Sequence, residues 1–395
     1  MGAGSVTSAA ARSMDGCFAN LRSKTVATKH FTRPRTRRYS LRNMVYASPA
    51  YARETFNAAG NALIGKDLQG LGVEQSLGII NNWRASHAFP LNALHVTLRG
   101  RAKKVDANAL TAQRLKRLSS IEAKLRRFPD MKLTQMQDIG GCRAVVKDVS
   151  EVERLIAAYR KGVAKNPKKR HVFLSEKDYI TSPKADGYRS FHLIYRYHSR
   201  ARKHSVYSGL KIEIQVRTKL QHAWATAVEI ISTFTGQALK SNMGDECWRR
   251  FFKLMSSEIA LRERRPHVPD TPTDRTELVR ELRELVEKLQ VQTALTGWGT
   301  GVKVISEREK SAHTYLLILD SKKRNITHIG FTKHELPEAQ RQYLAAETKN
   351  ADKPWIQAVL VSVDSVSALR RAYPNYYLDS IAFSQAVSRA IDSKP

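Results

Sequence analysis

The sequence predicts an α/β (α+β) fold, in which a mixed β-sheet is flanked by helices and a small C-terminal α/β domain follows. Three observations support this prediction. Residues 211–218 alternate between apolar and polar side chains, as a half-buried strand requires. Apolar side chains recur at helical spacing over residues 108–128 and 274–291. With 395 residues, the chain is long enough to hold two or three domains.

The net charge of +31 predicts a polyanionic partner, either nucleic acid or a phosphate-rich substrate, although a basic solvated surface is an alternative. Residues 1–43 are basic and lack an apolar period, so we expect them to be disordered. They are interpreted as a nucleic-acid-binding arm, a transit peptide, or residues upstream of a start at Met44. Three widely spaced cysteines are typical of a cytoplasmic protein, and no apolar run is long enough to span a membrane.

The elements that precede the predicted site are mainly helical. Residues 50–100 are predicted to form helices, and a longer helix is predicted from Asn108 to Phe128. The breaks in the first segment are residues that interrupt helices: Gly60, Gly65, Gly70 and Pro90. A strand (Cys142 to Val146) and a helix (Val149 to Tyr159) follow. A hairpin is then predicted to join Phe191–His198 to Lys211–Thr218, with one helix starting near Gln221 and another ending near Arg262.

Residues 266–299 are predicted to be a linker, marked by three prolines, and an amphipathic helix. Residues 300–395 are predicted to be a separate small α/β domain. Its predicted strands are Thr314–Asp320, Ile326–Phe331 and Ile356–Val363, and its helices lie near Glu335–Glu347 and Val366–Tyr373. No catalytic constellation is recognised there, so a regulatory role is expected. A chain ending near Arg265 is accordingly expected to keep or gain activity if it is soluble.

The strand at 211–218 carries the first chemical signal. Its alternation places Glu213, Gln215 and Arg217 on one face. A carboxylate for Mg²⁺, an amide to orient a substrate and a cation for phosphate oxygens suit metal-assisted phosphoryl transfer. Asp138, just before another predicted strand, is a second candidate carboxylate, although it is equally typical of a turn. Arg114, Lys116, Ser120 and Lys124 predict a triphosphate site, although a solvated helix face is the alternative.

Four motifs appear in a fixed order and carry a family resemblance. They run from Arg114 to Lys124, from Asp138 to Arg143, from Asp178 to His192 and from Glu213 to Thr218. Together they resemble the synthetase domain of the RelA/SpoT family, the alarmone synthetases. The resemblance covers residues 44–265 and implies a pyrophosphokinase with ATP and GDP or GTP as substrates.

The resemblance also implies roles for individual residues. Asp138 and Glu213 are expected to be catalytic and to hold Mg²⁺ as the cofactor. The residues expected to bind ATP are Arg114, Lys116, Ser120, Lys124 and Arg143. The residues expected to bind the acceptor are Lys184, Tyr188, His192, Gln215 and Arg217. His222 is left open between a core histidine and a site residue.

Alternatives to alarmone synthesis from guanine nucleotides are also predicted. An adenine nucleotide or the 3′ end of tRNA is a possible acceptor, and a catalytically dead RNA- or ribosome-binding module is the third interpretation. The helix after Thr218 is similar to that of toxic small synthetases, so an antitoxin or another regulatory partner is expected in that case. No hydrolase domain is expected, because none of the twelve histidines precedes an aspartate.

Overall fold

The computed structural model describes residues 46–67, 69–165, 171–235, 246–307, 312–320, 323, 325–350, 353, 356–362, 366 and 376–392. Two predicted features lie outside these residues: the disordered segment 1–43, and the helix at Val366–Tyr373 apart from its first residue. Among the described helices, none combines the length and the apolar character needed to cross a membrane.

Three helices precede the sheet, as predicted: α1 (Arg53–Leu63), α2 (Val73–Ser86) and α3 (Ala88–Val105). Gly65 and Gly70 lie between α1 and α2 with φ angles of +85° and +65°, so these two breaks are confirmed. The breaks predicted at Gly60 and Pro90 are wrong. Gly60 lies within α1, where an added Cβ atom would come within 2.8 Å of Leu133 Cβ. Pro90 lies in the first turn of α3, where its missing N–H costs little.

The single helix predicted from Asn108 to Phe128 is wrong. This segment forms strand β1 (Leu110–Leu115) and then helix α4 (Leu118–Arg127). β1 pairs with the next strand along its whole length, so the sheet and not a helix satisfies its backbone groups. The spacing of side chains does not reveal such pairing, because pairing depends on a distant partner. Arg114 therefore lies on a strand, whereas Lys124 lies on a helix.

Four more strands join β1 in the main sheet: β2 (Gly140–Val146), β3 (His171–Asp178), β4 (Phe191–Tyr197) and β5 (Lys211–Thr218), with helix α5 (Val149–Lys165) between β2 and β3. The five strands lie in the order β1–β2–β5–β4–β3. β2 and β5 are parallel, and the other neighbours are antiparallel. The predicted mixed sheet flanked by helices is confirmed, and so is the predicted hairpin of β4 and β5.

One face of this sheet is apolar and forms the main core. Cys142, Leu193 and Ile214 project from it and pack with apolar side chains of α1, α2, α3 and α5. This packing fixes the orientation of every strand, because side chains alternate between the two faces. The opposite face is consequently available for polar residues.

Helices and a smaller antiparallel sheet follow the main sheet. The described helices are α6 (Lys219–Thr235), α7 (Glu246–Arg262), α8 (Arg275–Lys288), α9 (Val291–Glu307), α10 (Leu336–Lys349) and α11 (Tyr376–Asp392). The strands of the smaller sheet are β6 (Thr314–Asp320), β7 (Asn325–Phe331) and β8 (Ile356–Ser362), and they lie in the order β7–β6–β8. These strands agree with the prediction, whereas α11 was not predicted.

Residues on both sides of the predicted boundary at residue 300 share one hydrophobic core. It includes Phe251 of α7, Leu282 of α8, Leu317 of β6 and Phe383 of α11. The boundary itself falls within α9, and residues 46–395 group into one compact unit. The C-terminal segment is therefore packed against the rest of the chain and is not separate, while its regulatory role stays a prediction.

Candidate active site

The polar face of the main sheet gathers the predicted site residues. Glu213 on β5 lies opposite Gly141 on β2, and Gln215 lies opposite both Arg143 and His192. Residues paired directly across two strands share a face of the sheet. The register therefore brings polar side chains from three strands together. Gly141 carries no side chain, which leaves space beside Glu213.

Asp138 lies just before β2 and forms two ion pairs. Lys116 Nζ is 2.7 Å from one carboxylate oxygen, and Lys124 Nζ is 2.9 Å from the other. Burial alone would raise the pKa of the Asp138 carboxyl, but the two ammonium groups hold this pKa well below its usual range. The carboxylate is therefore ionised. Its two partners are cations of the kind that nucleotide phosphates attract.

Glu213 is the second carboxylate of the site. His192 Nδ1 lies 2.9 Å from its Oε1 atom, and Gln215 Nε2 donates to Oε2 at 2.7 Å. Burial alone would raise the pKa of Glu213, but His192 and Gln215 outweigh it and lower the pKa to about 2. Glu213 therefore carries a full negative charge at neutral pH.

Five side chains form a closed ring of hydrogen bonds that includes Glu213. Arg217 Nη2 donates to Gln215 Oε1 at 2.9 Å and to Tyr188 Oη at 2.6 Å. Tyr188 Oη lies 2.8 Å from His192 Nε2. An arginine only donates and an ionised carboxylate only accepts, so Arg217 is a donor in the ring and Glu213 is an acceptor. Nδ1–H of His192 therefore donates to Glu213, and a neutral imidazole then accepts from the Tyr188 hydroxyl at Nε2.

Two ring members are less accessible than the family resemblance implied. Arg217 is 3% exposed and His192 is 7% exposed. Their hydrogen bonds go to Glu213, Gln215 and Tyr188, which suits residues that hold others in place. Direct contact of Arg217 or His192 with an acceptor nucleotide stays a prediction.

Both carboxylates line one open pocket. Its lining residues come from β1, β2, β5 and the segment before β2: Ala112, Gln113, Arg114, Asp138, Gly141, Cys142, Arg143, Glu213 and Gln215. Ser120 lies one turn before Lys124 on α4. The structure thus brings Arg114 and Arg143 to the same pocket as the two carboxylates, with Lys116 and Lys124 bound to one of them.

The predicted magnesium site consists of two carboxylates, Asp138 and Glu213. Within the described part of the chain, no group of three or more His, Cys, Asp and Glu side chains is arranged to hold a metal ion. Mg²⁺ is usually bound by one or two carboxylates together with substrate phosphates and water. Two ionised carboxylates on one pocket therefore fit a Mg²⁺ ion that binds together with a nucleotide.

Tyr188 and Tyr179 form an aromatic corner beside the ring of hydrogen bonds. Their rings meet edge to face with centroids 6.0 Å apart. Lys184 Nζ lies 4.7 Å from the centroid of Tyr179 and 5.1 Å from that of Tyr188. Burial lowers the pKa of Lys184. No role is predicted for Tyr179 from the sequence, although the residue lies within the third motif, which runs from Asp178 to His192. An aromatic surface next to a cation suits a nucleobase and its phosphates.

The turn before β4 positions Tyr188. Gly187 has a φ of +89°, and a Cβ atom added there would lie 3.1 Å from Trp224 Cζ2 and 3.3 Å from the carbonyl oxygen of Phe252. The buried side chain of Arg189 donates to two backbone carbonyls and one serine hydroxyl. The turn is therefore held on both sides of Tyr188, by close packing before it and by hydrogen bonds after it.

We expect Gly187→Ala to lower the free energy of unfolding by about 1–3 kcal/mol more than Gly209→Ala does. Both glycines have positive φ, +89° and +99°, so both substitutions strain the backbone. No atom lies within 4 Å of a Cβ added at Gly209, so only Gly187→Ala also disturbs packing. Urea unfolding of the two variants measures the difference. Equal losses would show that close packing at Gly187 does not hold the turn.

The junction of β5 and α6 is a helix cap that the sequence analysis did not assign. Thr218 Oγ1 accepts from Gln221 N at 3.1 Å, and Gln221 Oε1 accepts from Thr218 N at 3.3 Å, which makes a capping box. Both side chains also donate to Glu263, at 2.5 Å and 2.7 Å. Glu263 is distant in sequence, so no local pattern indicates this contact. The cap fixes the chain directly after Arg217.

The middle of the chain matches a known protein family. Residues 113–233 match the model described as the region found in RelA / SpoT proteins. All four motifs fall within this segment. The family resemblance seen in the motifs is thereby confirmed for this segment.

The chain is also similar to a curated relative. Over 121 residues the chain is 34% identical to the GTP pyrophosphokinase YjbM of Bacillus subtilis (strain 168). The match covers 29% of this chain and 51% of that relative. The chain thus spans about half the length of the curated relative it matches.

Solved structures of similar proteins include the small alarmone synthetase 1 from Bacillus subtilis bound to its product pppGpp. The identity is 24% and the TM-score 0.37, and the match covers 46% of this chain and 90% of that one. A second is smu.1046c from Streptococcus mutans UA159, with 24% identity, a TM-score of 0.37 and coverage of 54% and 98%. No conclusion about the activity of this chain follows from these two similarities alone.

Proposed function

We propose that this chain is a pyrophosphokinase that transfers the β,γ-pyrophosphate of ATP to the 3′-hydroxyl of GDP or GTP and releases AMP. One observation carries the proposal. A single pocket brings the ionised carboxylates of Asp138 and Glu213 together with the guanidinium groups of Arg114 and Arg143. The RelA/SpoT region and its similarity to a GTP pyrophosphokinase support the same reaction.

The reaction exchanges one phosphorus–oxygen bond for another. The 3′ oxygen of the acceptor bonds to the β-phosphorus of ATP, and the bond from that phosphorus to the oxygen bridging the α-phosphorus breaks. AMP leaves with the bridging oxygen, and the proton of the 3′-hydroxyl passes to solvent. Glu213, with a pKa of about 2, is a weak proton acceptor at neutral pH. Its contribution is therefore to orient the hydroxyl and to supply negative charge, more than to act as a general base.

Asp138 and Glu213 would hold Mg²⁺ in this reaction. When bound, the ion neutralises charge on the phosphate oxygens and aligns them for displacement. The side chains of the protein itself supply further positive charge. Lys116 and Lys124 are already next to Asp138, and Arg114 is exposed at the pocket. These cations would bind the phosphates of ATP, which suits the loose, highly charged transition state of phosphoryl transfer.

The acceptor would bind at the aromatic corner. Tyr188 and Tyr179 offer flat apolar surface for the base, and Lys184 lies over both rings. The closed ring of hydrogen bonds ties Tyr188 to Glu213 through His192. Base recognition and orientation of the 3′-hydroxyl are thus coupled through one network. His192, Gln215 and Arg217 would serve the acceptor mainly by fixing that network.

Transfer of label identifies the acceptor. The full-length protein is incubated with Mg²⁺ and ATP labelled at the γ-phosphate, together with GDP, GTP, AMP, ADP or tRNA in separate reactions. The expected result is label on GDP and GTP with release of AMP. Label on AMP or ADP instead would assign an adenine nucleotide as the acceptor. Label on none of the five, with a folded protein, would contradict the proposed enzyme and leave a catalytically inactive binding module.

A second candidate function is the modification of the 3′ end of tRNA, which the net charge of +31 favours. Arg200, Arg202 and Lys203 form an exposed basic group between β4 and β5. A further basic group on α7 comprises Arg249, Arg250 and Lys253, of which Arg250 is paired with Glu281 at 2.6 Å. A third basic group comprises Lys165, Lys168, Lys169 and Arg170, and its last three residues lie outside the described part of the chain.

Neutralising the exposed basic group separates the two candidates. If tRNA is the acceptor, R200Q/R202Q/K203Q is expected to weaken labelling of tRNA and to reduce its dependence on salt. Synthesis from free nucleotides by the same variant is the internal control and is expected to be unchanged. If GDP or GTP is the acceptor, both the wild type and the variant label the nucleotide equally and do not label tRNA.

A further inference from the structure

The C-terminal helix α11 is attached to the helices that follow the active-site strand. Phe383 of α11 stacks on Phe252 of α7, with ring centroids 5.9 Å apart. Gln292 of α9 donates to Ser388 Oγ at 3.0 Å, and the Ser384 hydroxyl donates to Gln292. These contacts hold α11 in one position and are made by residues that do not line the pocket.

One side chain of α11 reaches α6, the helix that continues directly from the active-site strand. Asp379 Oδ2 lies 3.3 Å from His222 Nε2 and 3.5 Å from Thr226 Oγ1. The Asp379 and His222 side chains are only 15% and 7% exposed. Water therefore screens this pair weakly, and its interaction is stronger than that of a surface pair.

His222 is also close to two cations of the polar face. Burial lowers its pKa to about 4, Arg143 and Arg217 act in the same direction, and Asp379 opposes them. The imidazole is consequently neutral at neutral pH, and its Nε2–H donates to Asp379. Arg143 lines the pocket, and Arg217 belongs to the ring of hydrogen bonds. His222 thus contacts α11 through Asp379, and its pKa is influenced by the charges of two residues of the proposed site.

We propose that Asp379 is a positioning residue for the pyrophosphate-transfer site and acts through His222. The inference rests on the proposed function. The hydrogen bond to Asp379 fixes the tautomer and the orientation of the imidazole, as carboxylates do for histidines at other sites. Loss of the carboxylate frees the imidazole to reorient beside the first turn of α6, which begins two residues after Arg217.

A role in docking α11 alone would give a different pattern. Ser384 provides the matched control, because it also binds α11 to the body of the protein by one side-chain hydrogen bond. Ser384→Ala removes a docking contact without touching His222. If Asp379 only docks α11, then Asp379→Asn and Ser384→Ala affect stability and turnover alike. If Asp379 positions the site, only Asp379→Asn lowers turnover.

The experiment compares kcat, KM and thermal unfolding for the full-length wild type, D379N, D379E and S384A, with γ-labelled ATP and the acceptor that the wild type uses. D379N is expected to lower kcat roughly tenfold with little change in the KM for ATP. D379E is expected to restore part of the loss, because it keeps the charge. S384A is expected to keep the wild-type kcat.

A double-mutant cycle with His222→Phe tests whether Asp379 acts through the histidine. H222F alone is expected to lower kcat as much as D379N, and the double variant no further. If D379N fails to fold, the kcat of H222F still decides the question. A wild-type kcat in D379N or H222F, or fully additive losses, would overturn the inference. A wild type that transfers no label to any acceptor would instead overturn the proposed function.

Discussion

Asp138→Asn and Glu213→Gln are each expected to abolish pyrophosphate transfer, with losses of about a hundredfold or more, while the protein stays folded. Each change replaces an ionised carboxylate with a neutral amide of the same shape. At Asp138 it leaves Lys116 and Lys124 without their shared counter-charge. At Glu213 it places an amide N–H₂ group against one of the two donors, His192 Nδ1 or Gln215 Nε2, and so interrupts the ring of hydrogen bonds.

Glu176→Gln is the matched control for both variants. Glu176 also lies on the main sheet, in β3, and is paired with Arg160 at 2.5 Å, but it does not line the pocket. The transfer rate of the E176Q variant is expected to stay within about twofold of the wild-type rate. The measurement is the initial rate of labelling from γ-labelled ATP, with circular dichroism to show folding. Retention of more than about a tenth of the activity by D138N or E213Q would contradict the assignment.

Phe383→Ala is expected to lower the free energy of unfolding by about 3–5 kcal/mol. The Phe383 side chain is completely buried, and it stacks on Phe252 and meets the edge of Phe251 at 6.3 Å between centroids. Leu378→Ala on the same helix is the control, because Leu378 is 66% exposed and its change is expected to stay within about 0.5 kcal/mol. Urea unfolding of both variants measures these values.

The same packing bears on the solubility of a shortened chain. A chain ending near Arg265 is predicted from the sequence to keep or gain activity if it is soluble, because all four motifs precede that residue. Such a chain lacks α8, α9 and α11 and so exposes Trp248, Phe251 and Phe252. We therefore expect it to aggregate. A soluble and active fragment, or an F383A variant as stable as L378A, would show that the shared core contributes little.

The sequence was most informative where one element carries the chemistry. Glu213 and Gln215 were assigned to one face because strands alternate, and the register of β2 and β5 places them as expected. Asp138 was found because it precedes a strand within a recognisable motif. Local pattern and tertiary structure agree in these segments, so the prediction needed no knowledge of distant partners.

The sequence was less informative where a contact joins distant segments. β1 was taken for a helix because its strand character comes from pairing with β2. The contact of Glu263 with Thr218 and the burial of Phe383 depend on how helices pack after the chain has folded. His222 was left undecided for the same reason, since Asp379 is far from it in sequence. No periodicity within a short window reports such contacts.

The closed ring of hydrogen bonds has an evolutionary consequence. Because arginine has no acceptor and the carboxylate has no donor, Arg217 can only donate within the ring and Glu213 can only accept. A substitution at one member therefore leaves the two neighbouring members without a matched partner. Descendants of this chain should accordingly exchange these five residues in combination more often than singly, whereas single substitutions should accumulate at the positions around them.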